Sequence, residues 1–263
     1  MEAGLLAAVF RGKTALVTGA SRGIGAAVAR RLARDGADLV LNYRKEGGAS
    51  EKGALELKAE LESLGRSVSL VRADISKKDD VRAMMAAVAE GAGRLDFLVL
   101  NAARAPFKPF HRLFERELRQ LVETNYLGNI FCIQQALPML EASGGRVVFV
   151  SSLGSRFYNP SYPLGSMKAA MESVVRDCAE EFASRGVGFN AVCGGLVRTD
   201  SYKVLRRLWE GLDAVPEEMF VEPEEIADVV SFLCSPGSRG LRGQTIVVDR
   251  GLGNSLFGRI GGR

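Results

Sequence analysis

The chain has 263 residues, 47% of them hydrophobic and 25% charged, the balance of an ordinary soluble globular protein. Its net charge of +4 suits an anionic cofactor or substrate, and it lacks the clustered basic stripe that nucleic-acid binding would require. Four cysteines without a C-x-x-C pair indicate neither a zinc site nor a disulfide framework, and a single histidine, His111, excludes a His-rich metal centre.

The opening MEAGLLAAVF is apolar but short and has no basic n-region, so it predicts neither a signal peptide nor a bilayer span and places the protein in the cytoplasm. KTALVTG (13–19) then reads as a strand, IGAAVARRLARDG (24–36) as a helix stopped by Gly36, DLVLNY (38–43) as a strand and SEKGALELKAELESLG (50–65) as a helix. Further apolar runs at 67–73, 96–101, 146–151, 187–192 and 244–249 bring the strands to seven, with long helices over 110–141 and 163–185. Near-continuous apolar character fits strands buried on both faces. The alternation predicts one α/β domain over 1–263, a doubly wound Rossmann-type parallel sheet whose ligand sits at the carboxyl ends of the strands. One irregular stretch, 195–221, is too long for an ordinary connection and mixes Tyr202, Trp209 and Phe220 with Lys203, Arg206 and Arg207. It reads as a lid over a partly apolar ligand or as a surface helix pair.

TGASRGIG (18–25) follows the first strand and opens the first helix. Gly19, Gly23 and Gly25 let the backbone turn tightly and approach a pyrophosphate, which the helix N-terminus would attract. At the end of the second strand and just beyond it stand Asn42, Tyr43, Arg44 and Lys45, where a carboxylate would select a free ribose 2′-hydroxyl. Arg22 and Arg44 instead predict a clamp on a 2′-phosphate, and so NADPH as the cofactor.

The T-G-x-x-x-G-x-G loop resembles that of the short-chain dehydrogenase/reductase family, and further matches follow in order along nearly the whole chain. The resemblance implies cofactor contacts from Gly19, Ser21, Arg22, Gly23, Ile24 and Gly25 in the loop, and from Asp74 and Ile75 at the adenine. It implies the same of Asn101 and Ala102 in NAA, where Ala103 replaces the family's glycine. Gly195, Val197 and Thr199 in NAVCGGLVRT would hold the nicotinamide amide. Asn125 matches a helix asparagine that holds a structural water, and Ser152 ends the strand that carries the substrate-facing serine.

In SYPLGSMKAAME (161–172), Lys168 matches the lysine that binds the nicotinamide ribose. The position four residues earlier, where most of the family has its catalytic tyrosine, holds Leu164, and the nearest phenol, Tyr162, makes the spacing Y-x5-K. SSLGS (151–155), CGG (193–195) and this wide spacing resemble the NADPH-dependent type III enoyl-acyl-carrier-protein reductases, whose spacing is one residue longer. Pro163 reads as the first helical residue, which puts Tyr162 in a loop able to absorb the missing residue, with Tyr158 as a reserve candidate. Three functions follow: reduction of an enoyl thioester of coenzyme A or acyl carrier protein, reduction of a carbonyl, or cofactor binding without redox chemistry. The resemblance also implies a homotetramer or homodimer; neither membrane nor metal is implied.

Overall fold

The structure is a computed structural model that describes residues 9–159 and 162–258. Seven apolar runs form strands: β1 (Thr14–Val17), β2 (Asp38–Tyr43), β3 (Val68–Arg72), β4 (Phe97–Leu100), β5 (Arg146–Ser152), β6 (Gly188–Gly194) and β7 (Thr245–Val248). All pair in parallel, in the order β3-β2-β1-β4-β5-β6-β7. The winding direction therefore reverses between β1 and β4, and this opens a crevice beyond the carboxyl ends of the strands. The seven-stranded parallel sheet is the one the apolar runs predict.

The helices are α1 (Gly23–Arg34), α2 (Ala49–Ser63), α3 (Lys78–Ala92), α4 (Glu115–Val122), α5 (Gly128–Ser143), α6 (Gly165–Glu181), α7 (Asp200–Leu208), α8 (Pro223–Cys234) and α9 (Leu252–Gly258). Alternate residues of β1 divide between two cores. Ala15 and Val17 join Leu32 of α1 and Val230 of α8, while Leu16 joins Met84 of α3, Ala136 of α5 and Val175 of α6. Both faces of the sheet are thus covered, which is why its strands lack polar alternation. Gly93 and Gly144 end α3 and α5 in the left-handed region, at φ 67° and 61°, where a side chain would be strained. No helix among the described residues is long and apolar enough to cross a membrane.

Two helices differ from expectation. The run 110–141 divides into a 3-10 turn at Phe110–Arg112, α4, a π turn at Glu123–Leu127 and α5. The π turn holds Asn125, whose side chain bonds outside its own helix. The run 163–185 contains a shorter helix, because α6 begins at Gly165 with Leu164 as its N-cap and ends at Glu181. Pro163 lies in the preceding turn, not at the first helical position. Backbone contact fixes that start: a Cβ on Gly165 would lie 1.9 Å from the Gly154 carbonyl oxygen.

Candidate active site

The glycine loop is braced from three sides. The Gly19 N–H donates to Asn42 Oδ1 at 3.1 Å, and Asn101 Nδ2 donates to the carbonyls of Thr18 and Gly19 at 3.0 Å each. Thr18 Oγ1 accepts from the amides of Asn101 and Ala102 at 2.9 and 3.0 Å. A Cβ on Gly19 would stand 2.9 Å from Ala102 Cα, and one on Gly25 would stand 2.5 Å from both Asn101 Nδ2 and the Gly19 oxygen. Both glycines are therefore needed for close packing, and the first turn of α1 presents its free amides over them. Two contributors escape sequence reasoning. Asn42 serves as a brace, and Gly53 in α2 lets that helix approach so closely that a Cβ would be 2.5 Å from the Ser21 oxygen. A glycine inside a helical pattern is the one available signal of the latter.

A cleft of about 250 Å³ opens beyond β1, β4, β5 and β6. Gly19, Arg22, Gly23, Ile24, Asn101 and Ala102 line one part; Ser152, Tyr162, Leu164 and Lys168 line another; Gly195, Val197 and Thr199 line a third. An adjoining depression of about 400 Å³ shares Arg22, Ala102 and Tyr162 and adds Ser21, Arg44, Asp74 and Ile75. Every predicted cofactor residue borders one of these spaces except Gly25, which lies beneath the loop. Asp74 is ordered locally, its Oδ1 accepting from the Ser76 amide at 3.1 Å and hydroxyl at 2.7 Å.

The predicted catalytic residues separate. Lys168 is buried, and its Nζ donates to the Val150 carbonyl at 2.6 Å and stands 4.7 Å from the centre of the Phe149 ring. Burial lowers this ammonium to about 8, with Cys193 and Glu172 acting against the shift. Tyr162 is half-buried, its ring 5.3 Å from that of Phe107, and burial pushes its phenol up to about 12. Leu164 is fully buried and presents only carbon to the cleft. Ser152 lines the cleft, and its hydroxyl accepts from the Gly154 amide at 3.3 Å.

Asn125 lies apart from the cleft lining. Its Oδ1 accepts from the Arg104 amide at 2.9 Å, and its Nδ2 donates to the carbonyls of Arg104 and Leu121 at 2.8 and 2.9 Å. It ties the segment after β4 to the π turn. Tyr158 is 89% exposed and borders neither space, so the reserve role assigned to it has no geometric support.

Comparison with known proteins agrees with this geometry. Residues 19–253 match the family model described as enoyl-(acyl carrier protein) reductase. The chain belongs to the short-chain dehydrogenase/reductase family. A 1-cyclohexenylcarbonyl-CoA reductase from Streptomyces collinus is 40% identical over 92% of this chain and 87% of its own length. A 3-oxoacyl-[acyl-carrier-protein] reductase from Staphylococcus aureus is 35% identical over 91% of this chain and 98% of its own. Among solved structures, a short-chain dehydrogenase from Burkholderia cenocepacia in complex with NADP superposes with a TM-score of 0.84 at 32% identity, covering 92% of this chain and 98% of that one. A blue fluorescent protein from a metagenomic library, in complex with NADPH, gives 0.81 at 29%, covering 92% of this chain and 98% of that one.

The chain is thus an NAD(P)-dependent short-chain oxidoreductase, and its residues fit that cofactor: Gly19 and Gly25 leave no room for a Cβ against Ala102 and Asn101, which holds the loop in its tight turn, and the two spaces share Arg22, Ala102 and Tyr162. The segment 195–221 contains α7 and two 3-10 turns, tied down by a bridge between Val197 and Val221. Tyr202 and Leu205 of α7 line the cleft. Lys203 and Arg206 point elsewhere, paired with Asp200 at 3.0 Å and Asp213 at 3.2 Å.

Proposed function

We propose that this reductase uses NADPH to reduce the carbon-carbon double bond of an enoyl thioester carried on coenzyme A or acyl carrier protein. The observation that carries the reading is that Tyr162 and Lys168 line one cleft although five residues separate them, while Leu164 occupies the place of a ketoreductase's acid. Arg22 and Arg44 would hold the 2′-phosphate, Asp74 the adenosine end, Lys168 the ribose, and the backbone at Gly195 and Val197 with Thr199 the carboxamide. The dinucleotide, when bound, supplies the hydride. Tyr162 donates a hydrogen bond to the thioester oxygen as negative charge collects there, and its raised pKa keeps it a neutral donor. The Lys168 ammonium adds positive potential. Phe107, Leu164, Tyr202 and Leu205 offer carbon to the acyl group and exclude water, and the 195–221 segment acts as the lid.

Tyr162→Phe is expected to lower kcat for crotonyl thioester by about a hundredfold or more, the usual effect of losing one oxyanion donor, with NADPH binding intact. Unchanged turnover would assign the phenol to packing. A second reading, carbonyl reduction, draws on Ser152, which lines the cleft and carries a hydroxyl. Comparing NADPH oxidation with crotonyl and acetoacetyl thioesters separates the two, and tight binding without oxidation of either would favour a non-redox role.

We also propose that the protein acts in the cytoplasm as a homotetramer or homodimer. Phe114 at the N-cap of α4 and Leu118 and Val122 within it recur every four residues, all at least 40% exposed, and so form one apolar row. Leu118→Glu is expected to yield monomers in sedimentation; an unchanged assembly would move the interface elsewhere.

A further inference from the structure

Glu172 is a buried acid that the reaction outlined above does not use. It lies on α6 one turn beyond Lys168 and is 7% exposed. Its Oε1 accepts the Ser155 hydroxyl at 2.7 Å and the Ser151 hydroxyl in a second, short bond. Ser151 belongs to β5, beside Cys193 of β6, and Ser155 closes the 3-10 turn Leu153–Ser155. Lys168 grips the same stretch through the Val150 carbonyl. The cleft residue Ser152 therefore sits between three attachments to one helix. The contact of Gly165 with Gly154 leaves no slack, so displacing the two serines would move Ser152 and Lys168 together.

Charge adds to this. The ionisable groups acting on Lys168 are Cys193 from β6 and Glu172 on its own helix. The Cys193 thiol, which Arg156 and Asp249 also influence, is pushed up to about 12 by burial and is neutral at working pH. Glu172 is then the negative charge that opposes the burial of Lys168.

We propose that Glu172 is a positioning residue of this site: through Ser151 and Ser155 it holds the exit of β5 against α6, and its carboxylate supports the Lys168 ammonium in binding the cofactor. The inference rests on the reading of Lys168 as a cofactor-binding cation. Equilibrium binding of NADPH, followed by calorimetry from about pH 6 to about pH 9, tests it without any acyl substrate. Wild-type affinity is expected to fall as Lys168 loses its proton at about 8. In Glu172→Gln, the amide oxygen still accepts a hydroxyl but the charge is gone, and the fall is expected at least about half a pH unit lower. Ser155→Ala keeps the charge and is expected to weaken binding about fivefold with the midpoint unmoved. Glu172→Asp, a second charge-keeping variant should Glu172→Gln not fold, is expected to behave likewise. An unshifted midpoint in Glu172→Gln, a shifted one in Glu172→Asp or full affinity in Ser155→Ala overturns the proposal. Failure of wild type to bind NADPH would instead sink the cofactor reading itself, and failure to reduce any thioester would leave these binding results standing.

Discussion

Leu164 and Tyr162 lie two residues apart, yet the backbone gives them different tasks. Leu164 caps α6 and brings carbon to the cleft, while Tyr162 comes from the turn before the helix with its ring beside Phe107. Arg44 is exposed at the edge of the depression it shares with Arg22 and Asp74. A charge-assisted bond to a 2′-phosphate discriminates strongly because NADH has nothing to offer it. Arg44→Ala is expected to raise KM for NADPH roughly tenfold to a hundredfold and leave that for NADH unchanged, as steady-state assays with both cofactors would show. Equal losses with both would mean that Arg44 does not read the phosphate.

Elements meet here through glycine, and the same residue type has opposite consequences in different helices. At the start of α6, Gly165 touches the turn after β5, so an alanine there must push the helix or the turn away. Gly165→Ala is expected to destabilise by about 2 kcal/mol, the cost of overpacking, and to lower kcat by displacing Lys168. Gly91, inside α3, has nothing within 4 Å of where its Cβ would stand. Gly91→Ala is expected to stabilise by up to about 1 kcal/mol, because a helical glycine loses more chain entropy than alanine. Urea midpoints of the two variants check both, and a stabilising Gly165→Ala would refute the contact. The same contact explains why a proline-based reading of the helix start misses by two residues: proline favours the first turn, but tertiary contact selects where that turn falls.

Across the whole molecule, the sheet depends on a buried carboxylate at the end opposite the cleft. Asp96, just before β4, accepts from Arg94 twice at 2.7 Å, from the Thr14 amide of β1 at 3.0 Å and from Lys13 at 2.9 Å. Burial would raise its pKa, but the bonds from Arg94, Thr14 and Lys13 outweigh that and hold it below its ordinary value of 3.8. A folded-state pKa below the unfolded one gives stability that is full above pH 3.8 and is lost as pH falls through the folded value. Asp96→Asn is expected to cost about 2 kcal/mol at neutral pH and to flatten the acid dependence of the urea midpoint. Equal acid slopes in variant and wild type would assign that loss to other carboxylates.

The seven strands, their parallel arrangement and the cofactor loop were legible because they follow from local pattern: apolar runs of strand length, helical intervals between them, and glycines set between a strand and a helix. Lys168 and Leu164 could likewise be placed by counting. The sequence by itself thus determined the fold and the kind of cofactor. Only the tertiary structure decided that Tyr162 reaches the cleft while Tyr158 faces outward, that Asn125 is occupied by the backbone of Arg104, and that Glu172 grips the exit of β5. The reason is physical: spacing along a chain reports which residues share a face of one element, but burial and hydrogen-bond partners arise where distant elements meet.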